Sequence, residues 1–381
     1  MVAVFLYGTL QHAPLFDAVA GCAPAGRPAS LPGHAVRAVV GQAFPLLCVD
    51  DGAAGAEGLL VDLPDSAVAA LDLYEGAFGY TRATRTALCV GDDAPVAAQV
   101  YLPADNAWET AGDWNLDHWA ASYGAMSAHA VSEVMAIARN PATPDAARVR
   151  YPMALARADA HLRAQAASAP ARLRRQPAPG DIETVHFDRP YAYFFGVEVS
   201  DLRFRRFDGS YSDVARRAAF IMADAVTVLP YDPVRDVVLL VEQFRYGVLA
   251  RGDRNPWSLE CIAGRIDPGE APQTAARREA EEEARLILTD LTEVSRGYPS
   301  PGAVTEYLYN YLALCELPDA AAGVAGVEGE DEDIRSHIVP FQTLMDLIAS
   351  NEVENGPLIT TAFWLALNRD ALRRTALSPG A

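Results

Sequence analysis

Three glutamates, Glu279, Glu282 and Glu283, stand at i, i+3 and i+4 in a run of good helix formers from Ala275 to Leu286. On a helix they share one face. Carboxylates that close repel one another, so the face needs a counter-charge. A hard divalent cation supplies one. Mg²⁺ takes oxygen ligands, a few of them carboxylates, and completes its shell with water and substrate phosphate. A solvated acidic face would use the same residues without a metal. The upstream spacing bears on the choice. Gly264 and Glu270 are separated by five residues, and seven more precede Arg278-Glu279. Pro272 suits the first helical turn, where a missing N–H costs nothing. Six specified residues match by chance in roughly one window in 10⁷.

Two further stretches carry candidate chemistry. An apolar strand, Val2 to Leu6, runs into Tyr7-Gly8-Thr9-Leu10. Glycine there lets the backbone turn and leaves N–H groups for an anion, or simply makes a structural turn. Glu75 follows a short helix from Asp65 to Leu73. It is either a general acid/base or a surface carboxylate at a helix end. The run 328–333, Glu-Gly-Glu-Asp-Glu-Asp, reads by composition alone as a solvated acidic loop.

The elements that must position these groups fall into two domains, the prior for 381 residues. Residues 1–103 are strand-rich, with strands at 57–61, 85–90 and 97–101 around the short helix. Residues 104–113 read as a polar loop. Trp114 to Ala138 and Asp145 to Ala167 have helical character, and 169–180 is a proline-bearing linker with a basic cluster at Arg172, Arg174 and Arg175, read as a solvated turn. His118, His129 and His161 lack a second ligand at metal spacing and read as solvated or core histidines. Residues 181–375 alternate strands with helices at 341–348 and 358–367.

Composition excludes several classes. A net charge of -19 argues against nucleic-acid and anionic-membrane surfaces. All 31 basic residues are Arg, which removes P-loop and Schiff-base lysines. Five scattered cysteines suit a reducing cytosol. The amino terminus has no basic n-region and no stretch is long enough to span a bilayer, so a cytoplasmic location is expected.

The pattern from Gly264 to Leu286 resembles the Nudix box, with Arg285 where the box has its final Gly. That Gly normally leaves the helix at positive φ, which Arg adopts less readily. The text around it, AVTVLPYDPVRDVVLLVEQFR, NPWSLE, YPSPGAVTEYLY and EGEDEDIRSHIV, resembles the ADP-ribose pyrophosphatase branch. The resemblance implies a fold and a set of roles. The carbonyl of Ala263 with Glu279 and Glu283 would hold Mg²⁺, or Mn²⁺ in its place, with Glu282 close by. Arg245 would contact the pyrophosphate. Glu330 would be the general base, Glu332 a further metal or water contact, and Glu306 a site residue. Phe194 and Arg217 would reach the adenosine of a partner subunit in a swapped homodimer. The branch has Arg-Arg-Glu where this chain has Arg216-Arg217-Ala218, which bears on adenine recognition.

VFLYGTL, Phe44-Pro45, Glu57-Gly58, LDLYEG, Tyr80, Arg82 and AAQVYLP resemble the γ-glutamylcyclotransferase family with its AIG2-like members. That resemblance implies that Tyr7, Gly8, Thr9 and Leu10 hold a substrate's α-carboxylate and amine, and that Glu75 moves a proton as 5-oxoproline is released.

The expected fold is α/β in two domains: a mixed α/β cyclotransferase-like barrel over 1–103, a helical bridge and linker over 104–180, and a Nudix α/β/α sandwich over 181–375. The expected activity is Mg²⁺-dependent hydrolysis of ADP-ribose, or a related nucleoside-diphosphate sugar, to AMP and ribose 5-phosphate. The alternatives are γ-glutamyl(amine) cyclotransfer as the main activity, or a non-catalytic nucleotide-sugar sensor. The pairing also resembles fusion proteins labelled as tellurite-resistance proteins, though no residue here shows tellurite chemistry.

Overall fold

The computed structural model describes residues 1–91, 94–103, 108–139, 146–168, 170–325 and 333–377. It divides into two compact units, Met1–Phe220 and Ile221–Ala381.

The first unit opens with β1 (Val2–Leu6), α1 (Ala13–Ala20), β2 (Gly26–Leu31), β3 (His34–Val39), β4 (Pro45–Val49) and β5 (Ala56–Leu63). Then come α2 (Asp65–Gly76), β6 (Tyr80–Cys89), β7 (Pro95–Pro103) and β8 (Thr110–Asp113). Strands β1, β5, β2, β6 and β7 close into a barrel. Alternate residues of a strand point to opposite faces, and both faces are buried here. Phe5, Leu31, Leu60 and Val100 join one cluster, while Val4, Leu6, Val61, Leu63 and Tyr101 join another. This is why VAVFL is apolar throughout rather than alternating. Strand β8 lies inside the stretch read as a polar loop. It pairs with β3, but its four residues are exposed, so no apolar alternation marks it in the sequence.

The helical segment comprises α3 (Leu116–Trp119), a π turn at Ala120–Gly124, α4 (Ala125–Ala138) and α5 (Ala146–Ala166). Met126, Ala130, Val131, Val134, Tyr151, Leu155 and Ala158 enter the same apolar cluster as Val4 and Leu6. The segment expected as a bridge is therefore packed on the barrel. A buried ion pair joins its helices: Arg157 Nε donates to both carboxylate oxygens of Glu133 at 3.1 Å, and its Nη1 donates to the carbonyl of Phe194 at 3.1 Å. His129 and His161 stack with ring centroids 4.1 Å apart. The basic cluster of the linker is not merely solvated: Arg175 pairs with Asp181 at 2.7 Å. A three-stranded sheet in the order β11-β10-β9, of β9 (Ile182–Ala192), β10 (Gly196–Phe204) and β11 (Ala215–Ile221), follows, with β9 and β10 antiparallel.

The second unit contains β12 (Ala225–Asp232), β13 (Val237–Phe244), α6 (Tyr246–Arg251), β14 (Trp257–Glu260), β15 (Ile262–Arg265) and α7 (Pro272–Ala284). It continues with β16 (Asp290–Gly297), β17 (Leu308–Leu314), β18 (Gly323–Ala325), β19 (Ile334–Pro340), α8 (Phe341–Ala349) and α9 (Gly356–Leu377). Its mixed sheet has the order β16-β17-β12-β13-β19-β18, with β14 on β13 and β15 on β12. Every residue of β12 is buried, because helices cover both faces. Ala275, Ala276, Ala280 and Ala284 of α7 pack on Val226, Val228 and Ile262. Leu344 of α8 and Leu358, Ala362 and Leu365 of α9 pack with Leu229, Tyr231 and Leu312. The result is an α/β/α sandwich. Among the described residues no helix is long and apolar enough to cross a membrane.

Arg285 ends α7 at φ 56° and ψ 32°. Its N–H and that of Leu286 donate to the carbonyls of Glu281 and Ala280, so the helix exit is kept although glycine is absent. An L side chain is strained in this region. Arg285→Gly should raise the stability of this unit by about 0.5–1 kcal/mol, read by chemical denaturation. An unchanged or lower midpoint would show that the exit carries no strain.

Candidate functional site

Helix α7 lies over β15, which pairs with β12 in the register Val226↔Gly264 and Thr227↔Ala263. The alanines of α7 that face the sheet have little side chain, so the glutamates on the flanking positions reach the β15 backbone. The carboxyl carbon of Glu279 lies 1.9 Å from where a Cβ on Gly264 would stand. Only glycine leaves that space. Glu283 is 3% exposed and accepts the Ala263 N–H at 3.2 Å. Arg278 draws the remaining carboxylates together. It reaches Glu270 at 3.0 Å, Glu279 at 2.8 Å and Glu282 at 3.0 Å, and its Nη2 donates to the Arg265 carbonyl at 2.9 Å.

Beside this backbone opens a cleft of about 660 Å³, mouth included, lined by Ala225, Thr227, Arg245, Glu260, Ala263, Gly264, Glu306, Asn355 and Pro357. Arg245 forks onto buried Glu260, with Nε to Oε1 at 3.0 Å and Nη2 to Oε2 at 2.8 Å. A bidentate pair of this kind fixes the guanidinium plane. Burial pushes the Glu306 carboxyl up; Arg245 pulls it down and Asp224 pushes it up further, leaving it above the usual carboxylate range.

The first unit has its own pocket of about 560 Å³, mouth included. Tyr7, Gly8, Thr9 and Leu10 line it together with Glu75, Phe44, Tyr74, Phe78, Tyr80, Tyr101 and Tyr151. After β1 the chain enters a 3₁₀ turn at Thr9–Gln11. The first N–H groups of such a turn have no partner within it and suit a carboxylate. Gly8 passes close to Pro45, where an added Cβ would come within 3.0 Å of Cγ. The tyrosines are anchored: Tyr7 Oη donates to the Tyr101 carbonyl at 2.8 Å and Tyr80 Oη to the Pro45 carbonyl at 3.0 Å. Glu75 sits in the last turn of α2 among these rings. Burial pushes its carboxyl up to about 8, so near neutral pH it holds a proton. A general acid/base works best with a pKa near the operating pH.

A family model for the NUDIX domain matches residues 222–361, and one for gamma-glutamyl cyclotransferase, AIG2-like, matches residues 4–116. An ADP-ribose pyrophosphatase of Escherichia coli (strain K12) is 34% identical over 193 residues, 51% of this chain and 91% of that protein. An ADP-ribose pyrophosphatase of Haemophilus influenzae is 34% identical over 197 residues, 51% of this chain and 90% of that protein. A GDP-mannose pyrophosphatase of Enterobacter sp. (strain 638) is 30% identical over 153 residues, covering 40% and 78%. The chain belongs to the Nudix family. Its amino-terminal segment is γ-glutamyl cyclotransferase-like.

Nudix hydrolases generally use divalent metal ions. The residues of this Nudix unit fit one. Its donors are all oxygens, and the Glu279 carboxylate rests in a cradle that a Cβ would fill. Among the described residues no group of three or more His, Cys, Asp or Glu side chains is already gathered around a metal position. Gly264→Ala should push the Glu279 carboxylate aside and lower hydrolysis roughly 100-fold. Because the displaced atoms end a flexible side chain, the melting temperature of the unit should hardly move. Unchanged turnover would show that the cradle has no catalytic purpose.

Ala263, Arg245 and Glu306 thus share one cleft of the Nudix unit, with Glu279, Glu282 and Glu283 on the adjoining helix. Phe194 and Arg217 lie in the first unit, and Glu330 and Glu332 fall outside the described residues. Sequence reasoning missed Glu260, Asn355 and Pro357. Glu260 is readable only once β13 and β14 pair and place it within reach of Arg245. Asn355 precedes α9 and accepts the Leu358 N–H at 3.0 Å, a capping signal that was there to read.

Proposed function

We propose that the Nudix unit hydrolyses the pyrophosphate of ADP-ribose, or of a closely related nucleoside-diphosphate sugar, to AMP and ribose 5-phosphate with Mg²⁺ or Mn²⁺. The observation that supports this reading is the seating of Glu279 on Gly264 and Glu283 on Ala263 beside the Arg245–Glu260 fork. Glu279, Glu283 and the Ala263 carbonyl would hold the ion, with Glu282 next to them. When bound, the ion neutralises phosphoryl charge and acidifies a water. Arg245, kept in plane by Glu260, offers a permanent cation to the pyrophosphate. Glu306, its carboxyl pushed up by burial, lines the cleft beside Arg245 as a contact for the substrate. Glu330 as base and Glu332 as a metal or water contact complete the proposal from the sequence. So does a homodimer in which Phe194 and Arg217 meet the partner's adenosine. The test is release of AMP from ADP-ribose with Mg²⁺, with NADH and ADP-glucose alongside. Turnover of none of the three by folded, metal-loaded protein would overturn the reading.

The Glu75 pocket supports a second activity, γ-glutamyl cyclotransfer. The α-amine of a γ-glutamyl compound attacks its own γ-carbonyl carbon. A new C–N bond closes the five-membered ring as the old one breaks. Glu75 gives its proton to the leaving amine and takes one back from the attacking nitrogen, so no water is consumed. Holding the near-attack pose supplies most of the acceleration. Release of 5-oxoproline from γ-glutamyl compounds tests it.

A further inference from the structure

The π turn at Ala120–Gly124 joins α3 to α4 and ends on Gly124, which is buried. Turns of this kind interrupt α-helices chiefly at functional sites. Gly124 has φ -55° and ψ -50°. Any residue adopts that helical backbone, and glycine weakens a helix interior relative to alanine. Conformational freedom therefore does not account for this glycine. Space does: a Cβ here would stand 2.7 Å from Nε2 of His12, and 3.1 Å and 3.2 Å from its Cε1 and Cδ2. The His12 ring fills the place of the missing side chain. It also meets Trp119 edge-on, with centroids 5.8 Å apart, so the indole closes one side of its seat.

His12 ends the turn whose residues Gly8, Thr9 and Leu10 line the Glu75 pocket. Its N–H donates to the Thr9 carbonyl at 3.0 Å, and the Gln11 N–H to that of Gly8 at 3.1 Å, which closes the 3₁₀ turn. Its carbonyl then accepts the Phe16 N–H at 3.0 Å and opens α1. Trp119, just before the π turn, holds a second wall. Its indole N–H donates to the Ala43 carbonyl at 2.6 Å, and Phe44 and Pro45 line the pocket immediately after. The two walls touch: Cγ of Pro45 lies 3.0 Å from where a Cβ on Gly8 would stand. Residues 119–124 fall beyond the matched cyclotransferase segment, 4–116, and brace both walls from outside.

We propose that Gly124 and Trp119 are positioning residues of the Glu75 pocket, the first acting through the His12 ring and the second through Ala43, which together hold the Gly8–Leu10 turn ready for a ligand's α-carboxylate. What the turn receives rests on the cyclotransferase reading. Neither residue touches the ligand. Their contribution is preorganisation: a turn already fixed loses little freedom when a ligand binds.

The probe is 5-oxoproline, which carries that carboxylate and is the product whichever amine leaves. Its binding to the full chain is measured by calorimetry. Hydrogen exchange of the Thr9–Gln11 amides is measured on the same chain without ligand. Gly124→Ala should weaken binding roughly tenfold and speed exchange by a similar factor. His12→Ala, which removes the ring, should do the same. Joined to it, Gly124→Ala should add nothing, because the new methyl then has room; independent sites would give additive losses. Trp119→Phe keeps a ring beside His12 but loses the donor to Ala43, and should weaken binding roughly fivefold. It also decides the matter if Gly124→Ala folds poorly. Unchanged affinity or unchanged exchange in folded Gly124→Ala overturns the proposal, as does a full further loss in the His12→Ala background. Unchanged affinity in Trp119→Phe overturns the part given to Trp119. If 5-oxoproline does not bind the wild type while the exchange results hold, the cyclotransferase reading falls and the brace on the turn stands.

Discussion

Glu283→Gln should lower ADP-ribose turnover about 1,000-fold while leaving the fold intact. The carboxylate is buried and accepts the Ala263 N–H at 3.2 Å. A glutamine carbonyl can accept the same hydrogen bond, so β15 and α7 stay joined. What disappears is a negative charge beside the Glu279 cradle. Wild-type protein should gain melting temperature on adding Mg²⁺, because a ligand that binds only the folded state stabilises it. The variant should gain much less. Turnover within tenfold of wild type, with an equal Mg²⁺ shift, would remove Glu283 from the metal site.

Glu75→Gln should abolish 5-oxoproline release, by about 1,000-fold or more, and stabilise the first unit in alkaline solution. The sign follows from proton binding. Burial raises the folded-state pKa of Glu75 to about 8 from its ordinary value of 4.5. Between those values the folded chain holds a proton that the unfolded chain has released. Stability from this group is therefore full below the unfolded pKa and is lost as pH rises through 8. The neutral amide escapes that loss, so the variant's advantage should grow from pH 5 to pH 8 and then level off. Its size is on the order of a few kcal/mol. Calorimetry of both proteins at several pH values would read it. A constant difference would mean that Glu75 ionises normally in the fold.

The acidic face of α7 was legible because its residues lie within one run. Helical geometry alone brings Glu279, Glu282 and Glu283 to one face, and the spacing back to Gly264 sets the loop that leads to β15. Arg285 shows where local rules weaken. The sequence marks it as a poor helix exit, yet hydrogen bonds from its own N–H and the next hold it at positive φ. Tyr151 was not legible as a pocket residue. It sits 76 positions after Glu75, on a helix whose apolar spacing shows only that it packs somewhere. Glu133 and Arg157 hide in the same way, since each looks like a solvated charge until α4 and α5 meet.

The shared core of barrel and helices sets how portable the first unit is. A piece cut after residue 103 would carry the barrel strands and Glu75, but would leave Tyr74 and Phe78 facing water where Tyr151 now covers them. Grafted into another protein, that piece would be a barrel with an open side. The smallest transplantable version runs to the end of α5, so shuffling of this module between genes would have to carry both helices along with the strands.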